Sequence, residues 1–237
     1  MTLKEFIYKR KSTRKYHSTP LDEKTLQEIQ TYFAKLKPLY CDIKVTFNIT
    51  NKEHMKGLAS LHAPHYIIAL SENKPGYLVN VGFMLQQMDL YLSSIGLGSC
   101  WLGMAQPKQK TPSEEEFVIA LEFGNPLESP YRELADFKRK PLDKISNIAD
   151  NRLEVIRLAP SAMNLQKYYF LTKDNTIHAY CTKAGKLTIK RMAKMREIDL
   201  GIAIAHLYID NSEHFRFFKI TNPKEIKGHH YIGSIET

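Results

Sequence analysis

The sequence predicts a mixed helix-and-strand protein built around one long apolar helix. Two observations carry this. Residues Tyr77 to Ile95 are apolar on all sides, as a helix enclosed by other elements must be. Around it lie short strand-like runs: Cys41 to Ile49, Ala63 to Leu70, Phe117 to Phe123 and Lys167 to Thr172. At 237 residues, with 43% hydrophobic and 25% charged, the chain can bury a sizeable core as one large domain or two small ones.

The elements follow in order. Leu3 to Arg10 is expected to form a short helix with Phe6 and Ile7 inward. Thr19-Pro20-Leu21-Asp22 opens a second helix reaching to about Lys37, with Leu26, Ile29, Tyr32 and Phe33 at helical spacing. Cys41 to Ile49 alternates, placing Val45, Phe47 and Ile49 on one face. Ala63-Pro64 starts a buried strand. The long helix then stops at Gly96. Gly96-x-Gly98 with Gly103 invites a dinucleotide reading, which fails because these glycines follow a helix where that fingerprint needs a strand. Gly124-Asn125-Pro126 is a turn. A helix-like run from Ile148 to Leu158 ends at Pro160, which lacks a backbone donor and biases Ala159 away from helix.

The second half echoes the first. Asn80-Val81-Gly82 opens one apolar helix, and Asp199-Leu200-Gly201 opens another that runs to Leu207. Each is followed by strand-like segments, Phe117 to Phe123 and Tyr231 to Ile235. This is a weak repeat of element order; chance likeness of two apolar helices reads the same residues equally well.

Composition narrows the function. The net charge is +9, from 34 Lys+Arg against 25 Asp+Glu, densest at Lys9 to Lys15 and Lys138 to Lys140. No recognition helix, zinc finger or RNA-binding signature accompanies these clusters, so nucleic acid is the least favoured partner. No apolar run of about 18 residues occurs, so no transmembrane helix is expected. The charged N-terminus lacks the apolar core of a signal peptide. Cys41, Cys100 and Cys181 have no metal-type spacing and read as reduced thiols of a cytoplasmic protein.

Two motifs carry chemistry. Arg10, Ser12 and Arg14 fall at i, i+2 and i+4, and in an extended segment point to one side. Two guanidinium forks and a hydroxyl suit a phosphate or an anionic ring edge. Read alone, the stretch is more simply a solvated basic segment. The second motif is Ala159-Pro160-Ser161-Ala162-Met163-Asn164-Leu165-Gln166. Its serine and asparagine sit on a helix-to-strand loop and can hydrogen-bond a flat polar ring. Read alone, it is a helix stop with local side-chain-to-backbone bonds.

Taken together, the motifs resemble those of the nitroreductase family of FMN-dependent oxidoreductases. The matching residues are Arg10-x-Ser12-x-Arg14, the Ala63-Pro64 strand and Gly96 to Gly103. They continue with Glu122-Phe123-Gly124-Asn125-Pro126, Arg139-Lys140-Pro141-Leu142 and Pro160-Ser161-Ala162-x-Asn164-x-Gln166. The resemblance implies an α+β, nitroreductase-like fold, with a mainly antiparallel sheet around a central helix. It implies FMN held at its phosphate or ribityl end by Arg10 and Ser12, with Lys138 and Arg139 as further phosphate ligands and Lys11 among the cofactor-binding residues. Arg14 would stand near the N1 and C2 carbonyl of the ring. The backbone of Trp101, Leu102, Gly103 and Met104 would border N5, and Pro160, Ser161, Ala162 and Asn164 would face the ring. NADH or NADPH would be the donor in a ping-pong hydride transfer to a nitroaromatic, quinone or similar small acceptor. No side-chain acid and no metal are nominated.

The order departs from the family pattern. There the Pro-Ser-x-x-Asn loop usually follows the first long helix; here that place holds Lys37-Pro38-Leu39-Tyr40, and the loop comes after residue 158. Gln166 is followed by Lys167 instead of the usual proline. Family members are usually homodimers whose FMN sites use both subunits. The implied arrangement is one unit over residues 1–237, a fused pseudo-dimer with halves 1–147 and 148–237. It would hold one FMN, as a monomer or a homodimer. A flavin-binding module without turnover, or a specialised reduction such as dehalogenation or flavin fragmentation, are the alternatives within the same fold.

Overall fold

Two long helices cross at the centre of the molecule, and each carries its own antiparallel sheet. The computed structural model describes residues 2–57, 61–109, 114–185 and 188–237. The first half contains α1 (Leu3–Ile7), α2 (Glu23–Tyr32), β1 (Val45–Asn51), β2 (Met55–Gly57), β3 (His65–Ser71), α3 (Tyr77–Ser94), β4 (Gly98–Leu102), β5 (Ala105–Pro107) and β6 (Glu116–Gly124). The second contains α4 (Glu154–Leu158), β7 (Tyr168–Lys173), β8 (Thr176–Thr182), α5 (Lys190–Asp210), β9 (Arg216–Phe218) and β10 (His229–Glu236).

The sheet orders are β1-β3-β6-β4 and β7-β8-β10-β9, with β2 and β5 as a separate ribbon. Counted within its own half, each sheet runs first, second, fourth, third, and its long helix lies between the second and third strands. Every pairing in both sheets is antiparallel. The repeat that is faint in residue identities is therefore complete in topology. The chain before residue 148 also reaches the second sheet: Phe170 donates its N–H to Ile145, at 2.7 Å.

Burial explains why α3 reads as apolar all round. Every residue of it except Tyr91 and Ser94 is buried. Four of its buried polar side chains are partnered, while the Ser93 hydroxyl has no partner among the described residues. Asn80 and Gln87 bond the backbone around Lys37 to Tyr40, Gln86 meets His206 of α5, and Asp89 meets Arg10. All of β3 is buried too.

Several boundaries differ from the expectation. The second helix ends as α-helix at Tyr32, followed by one tight turn over Phe33–Lys35, because Pro38 pushes the preceding chain out of helix. The first strand starts at Val45, not Cys41. Of the run Ile148 to Leu158, only Glu154–Leu158 is α-helical, since Asp150 accepts the Arg152 N–H and starts a tight turn there. The last long helix begins at Lys190, nine residues before Asp199. Among the described residues, no helix is long and apolar enough to cross a membrane.

Candidate functional site

The N-terminal segment leaves α1 extended and runs along the outer edge of β4. Thr13 donates its N–H to the Ser99 carbonyl at 2.9 Å. Arg10 is buried, with Nε 3.1 Å from Oδ2 of Asp89, itself fully buried on α3. The other Asp89 oxygen accepts the Ser99 hydroxyl. An Arg10 Nη2 lies 3.4 Å from Ser12 Oγ. Arg10 therefore turns inward and lines neither of the cavities described below, contrary to the expected phosphate ligand. A carboxylate buried on the central helix needs a cationic partner, and Arg10 is that partner. Ser12 and the exposed Arg14 remain on the open side.

The Pro160 loop is fixed by neighbours on three sides. Asp199 of α5 accepts the Ala162 N–H at 2.9 Å. Ser161 Oγ accepts the Gln166 N–H at 3.0 Å. The buried Gln166 side chain accepts from Lys140 N at 2.8 Å and donates to the Arg157 carbonyl at 3.1 Å. Asn164 accepts from Arg139 and donates to the Lys138 carbonyl. Met163, Asn164 and Gln166 take φ of 51°, 56° and 42°, left-handed values that side chains other than glycine seldom adopt. Such strain persists where the surroundings over-determine the chain, as these bonds do.

Between the segment and the loop lie two adjoining cavities. One, of about 240 Å³, is mainly apolar. Cys100, Trp101, Gly103, Met104 and Ile119 supply its wall from the first half; Pro160, Ala162, Met192, Met195, Ile198, Asp199 and Ile202 supply it from the second. The other, of about 630 Å³, is a cleft lined by Lys11, Arg14, Tyr131, Arg132, Asp136, Lys138, Arg139 and Asn164. Ser12, Arg14, Pro160, Ser161 and Met163 line both.

The cleft is electrostatically unfinished. Five cations line it against one carboxylate. Burial and then the neighbouring guanidiniums of Arg139 and Arg10 pull the pKa of Arg132 down to about 10. Burial lowers Arg139 to about 10 as well, with Arg10 and Arg157 adding to the effect. Cations crowded and desolvated in this way gain from an anion between them.

Most of the expected site residues come together here: Lys11, Ser12, Arg14, Lys138, Arg139 and Asn164 at the cleft, and Trp101, Gly103, Met104, Pro160, Ser161 and Ala162 at the apolar cavity. Leu102 does not. Strand alternation turns its side chain to the opposite sheet face, into a small cluster with Met55, Tyr66, Ile68, Ala105 and Ala120. Asn164 lines the polar cleft instead of the apolar cavity. Sequence reasoning missed Asp199, Arg132, Met163, Met192, Met195 and Cys100. For Asp199 a signal existed, in the echo of Asn80-x-Gly82 by Asp199-x-Gly201.

The opposite half shows what the repeat does with its own copy of this corner. Asn80 Oδ1 accepts the N–H groups of Leu39 and Tyr40 at 2.8 and 3.0 Å, as Asp199 accepts that of Ala162. There the Tyr40 ring packs edge-on against Phe217, with centroids 5.4 Å apart. Burial pushes the Tyr40 hydroxyl up to about 12.

A family model described as "Putative TM nitroreductase" matches residues 2–211. The chain belongs to this nitroreductase family. The crystal structure of a "putative nitroreductase" from Thermotoga maritima resembles it over 99% of this chain and 92% of that one, with 22% identity and a TM-score of 0.67. At that identity the likeness shows the fold. A nitroreductase family protein from Clostridium difficile 630 aligns with 64% of this chain and 99% of its own, at 16% identity and a TM-score of 0.49. An "FMN-dependent Nitroreductase" from Clostridium difficile R20291 aligns with 62% of this chain and 97% of its own, at 18% identity and a TM-score of 0.46. No curated protein sequence matches this chain.

Proposed function

We propose that this chain is an FMN-dependent NAD(P)H oxidoreductase that reduces a small acceptor of nitroaromatic or quinone type. The observation that carries the reading is the junction of the two cavities at Ser12, Arg14, Pro160, Ser161 and Met163. An apolar slot continuous with a cationic cleft fits a ligand with a flat ring at one end and a phosphate at the other. FMN bound there would supply two-electron transfer between a nicotinamide and the acceptor.

The protein's own groups divide the work. Lys11, Arg132, Lys138 and Arg139 neutralise the phosphate, the arginines by paired N–H donors. Arg14, at the junction, favours negative charge on the ring. Trp101, Gly103 and Met104 wall one side of the slot, and Pro160, Ser161 and Ala162 the other. The two walls come from different halves of the chain, which supports reading 1–147 and 148–237 as a fused pseudo-dimer with one complete site. Arg10 acts at one remove, by holding Ser12 and the β4 edge through Asp89.

The test starts with the purified protein. It should be yellow, or become so with added FMN, and NAD(P)H should bleach it anaerobically until a quinone restores the colour. A protein that takes up no FMN contradicts the reading. One that binds FMN without bleaching is a flavin-binding module.

A further inference from the structure

Asn80 and Asp199 perform the same structural task at corresponding places. Each lies two residues before a glycine at the helix crossing, and each accepts the backbone N–H of a loop that follows a proline. An amide oxygen is enough for that cap, since Asn80 supplies it. Only Asp199 is ionisable, and it is the one carboxyl group among the described residues lining the apolar cavity. A carboxyl group held there in place of an amide costs stability unless it keeps its proton.

The surroundings favour the proton. Asp199 is 4% exposed. Burial pushes its pKa up to about 7, opposed only by the Ala162 N–H. Arg14 and Cys100 share the cavity with it. Tyr168 of β7 and Cys181 of β8 stand near it, and burial keeps both protonated, Cys181 with a pKa of about 12. On α3, Asp89 is taken by Arg10; on α4, Arg157 is taken by Glu154; on α5 itself, Glu197 faces His230. Among the described residues no cation forms an ion pair with Asp199.

We propose that Asp199 donates the proton that a two-electron acceptor requires when it is reduced in the apolar cavity. The proposal rests on the oxidoreductase reading above. A quinone that receives a hydride from the reduced cofactor becomes a hydroquinone monoanion. The Asp199 O–H bond then breaks and its proton passes to the anionic oxygen, giving the neutral hydroquinone. The carboxylate left behind regains a proton from solvent. A donor whose pKa lies near the working pH serves this transfer best.

Asp199→Asn keeps the cap, as Asn80 demonstrates, and removes the proton. Flavin content should stay at the wild-type level, while anaerobic reoxidation by a soluble naphthoquinone slows by roughly a hundredfold. The wild-type reoxidation rate should fall as pH rises through about 7, and the variant should lose that dependence. Independently of turnover, infrared spectra of the wild type should show a protonated-carboxyl C=O band that titrates near neutrality and is missing from the variant. An unchanged reoxidation rate and pH profile would overturn the proposal, as would a slowing shared equally by flavin reduction and reoxidation. So would the absence of that band from the wild type at pH 6, whether or not the variant folds. A wild type that holds no flavin, or is not reduced by NAD(P)H, refutes the oxidoreductase reading instead, before any variant is compared.

Discussion

Gly82 and Gly201 meet across the crossing of α3 and α5, and the contact is reciprocal. A Cβ on Gly82 would stand 2.2 Å from the Ile198 carbonyl oxygen; one on Gly201 would stand 2.0 Å from that of Val79. Val79 and Ile198 each precede the glycine of their own helix by three residues. Exchanging the halves therefore maps the contact onto itself, the relation that a two-fold axis imposes on a homodimer. Here it lies within a single chain.

Neither glycine can accept a methyl group without the helix backbones separating. Gly82→Ala and Gly201→Ala should each destabilise the fold by about 1–3 kcal/mol or more. Gly201→Ala should also loosen flavin retention, because Ile198, Asp199 and Ile202 of the cavity wall flank it. Urea unfolding and released FMN measure the two effects. An unchanged unfolding midpoint in both variants would contradict so close an approach.

Arg10 and Lys138 should separate stability from binding. Arg10→Ala leaves the buried Asp89 carboxylate without its cation, so unfolding free energy should drop by about 3–5 kcal/mol. Lys138→Ala touches only the cleft and should change stability by no more than about 0.5 kcal/mol while raising the Kd for FMN. Denaturant titration with flavin-binding isotherms checks the pair. Equal stability losses would place Lys138 in the framework as well.

Arg14 should set the flavin potential. At an effective dielectric of about 20 and a separation of about 4 Å, its interaction with a ring anion is on the order of 4 kcal/mol. A quarter of that, after desolvation and screening, shifts a two-electron potential by roughly 20 mV. Arg14→Ala should lower the midpoint by at least that much in a spectroelectrochemical titration. A shift of a few millivolts would remove Arg14 from the ring.

The acidity of Asp199 should be visible in stability. Its carboxyl pKa is about 3.9 when unfolded, and about 7 when folded. Between these values the folded state binds more protons, so this group's stabilisation is complete below about pH 4 and is lost as pH rises to 7. His206 works in the other direction. Burial holds its pKa at about 3, so its contribution is lost as pH falls below the unfolded value of about 6.5. The difference between wild type and Asp199→Asn isolates the first effect. Wild type should lose ground by up to about 1.4 kcal/mol per pH unit across that window. A difference independent of pH would mean that Asp199 is ionised throughout.

The fold was legible where burial decides composition. The helix Tyr77–Ser94 and the strand His65–Ser71 stand within a residue or two of where their apolar runs place them. Lys190 to Glu197 escaped because a helix whose charged side chains reach outward needs no apolar stripe there. At the site, Ser12, Arg14 and the Pro160 loop were readable as motifs. Arg10 was misread, because sequence spacing shows where a side chain can point but not that Asp89 is buried within reach of it. Leu102 was expected to offer only its backbone, and that expectation says nothing about which sheet face its side chain takes. Arg132 and the methionines carry no local signature, since tertiary contact alone brings them to the cavities.

We infer that the two halves of one chain build one flavin site. Native mass spectrometry of the FMN-loaded protein counts flavins per chain directly. One FMN per polypeptide is expected, with none added at excess flavin, because Tyr40 and Phe217 occupy the corresponding corner of the other half. Two flavins per chain, or none at any flavin concentration, would contradict it.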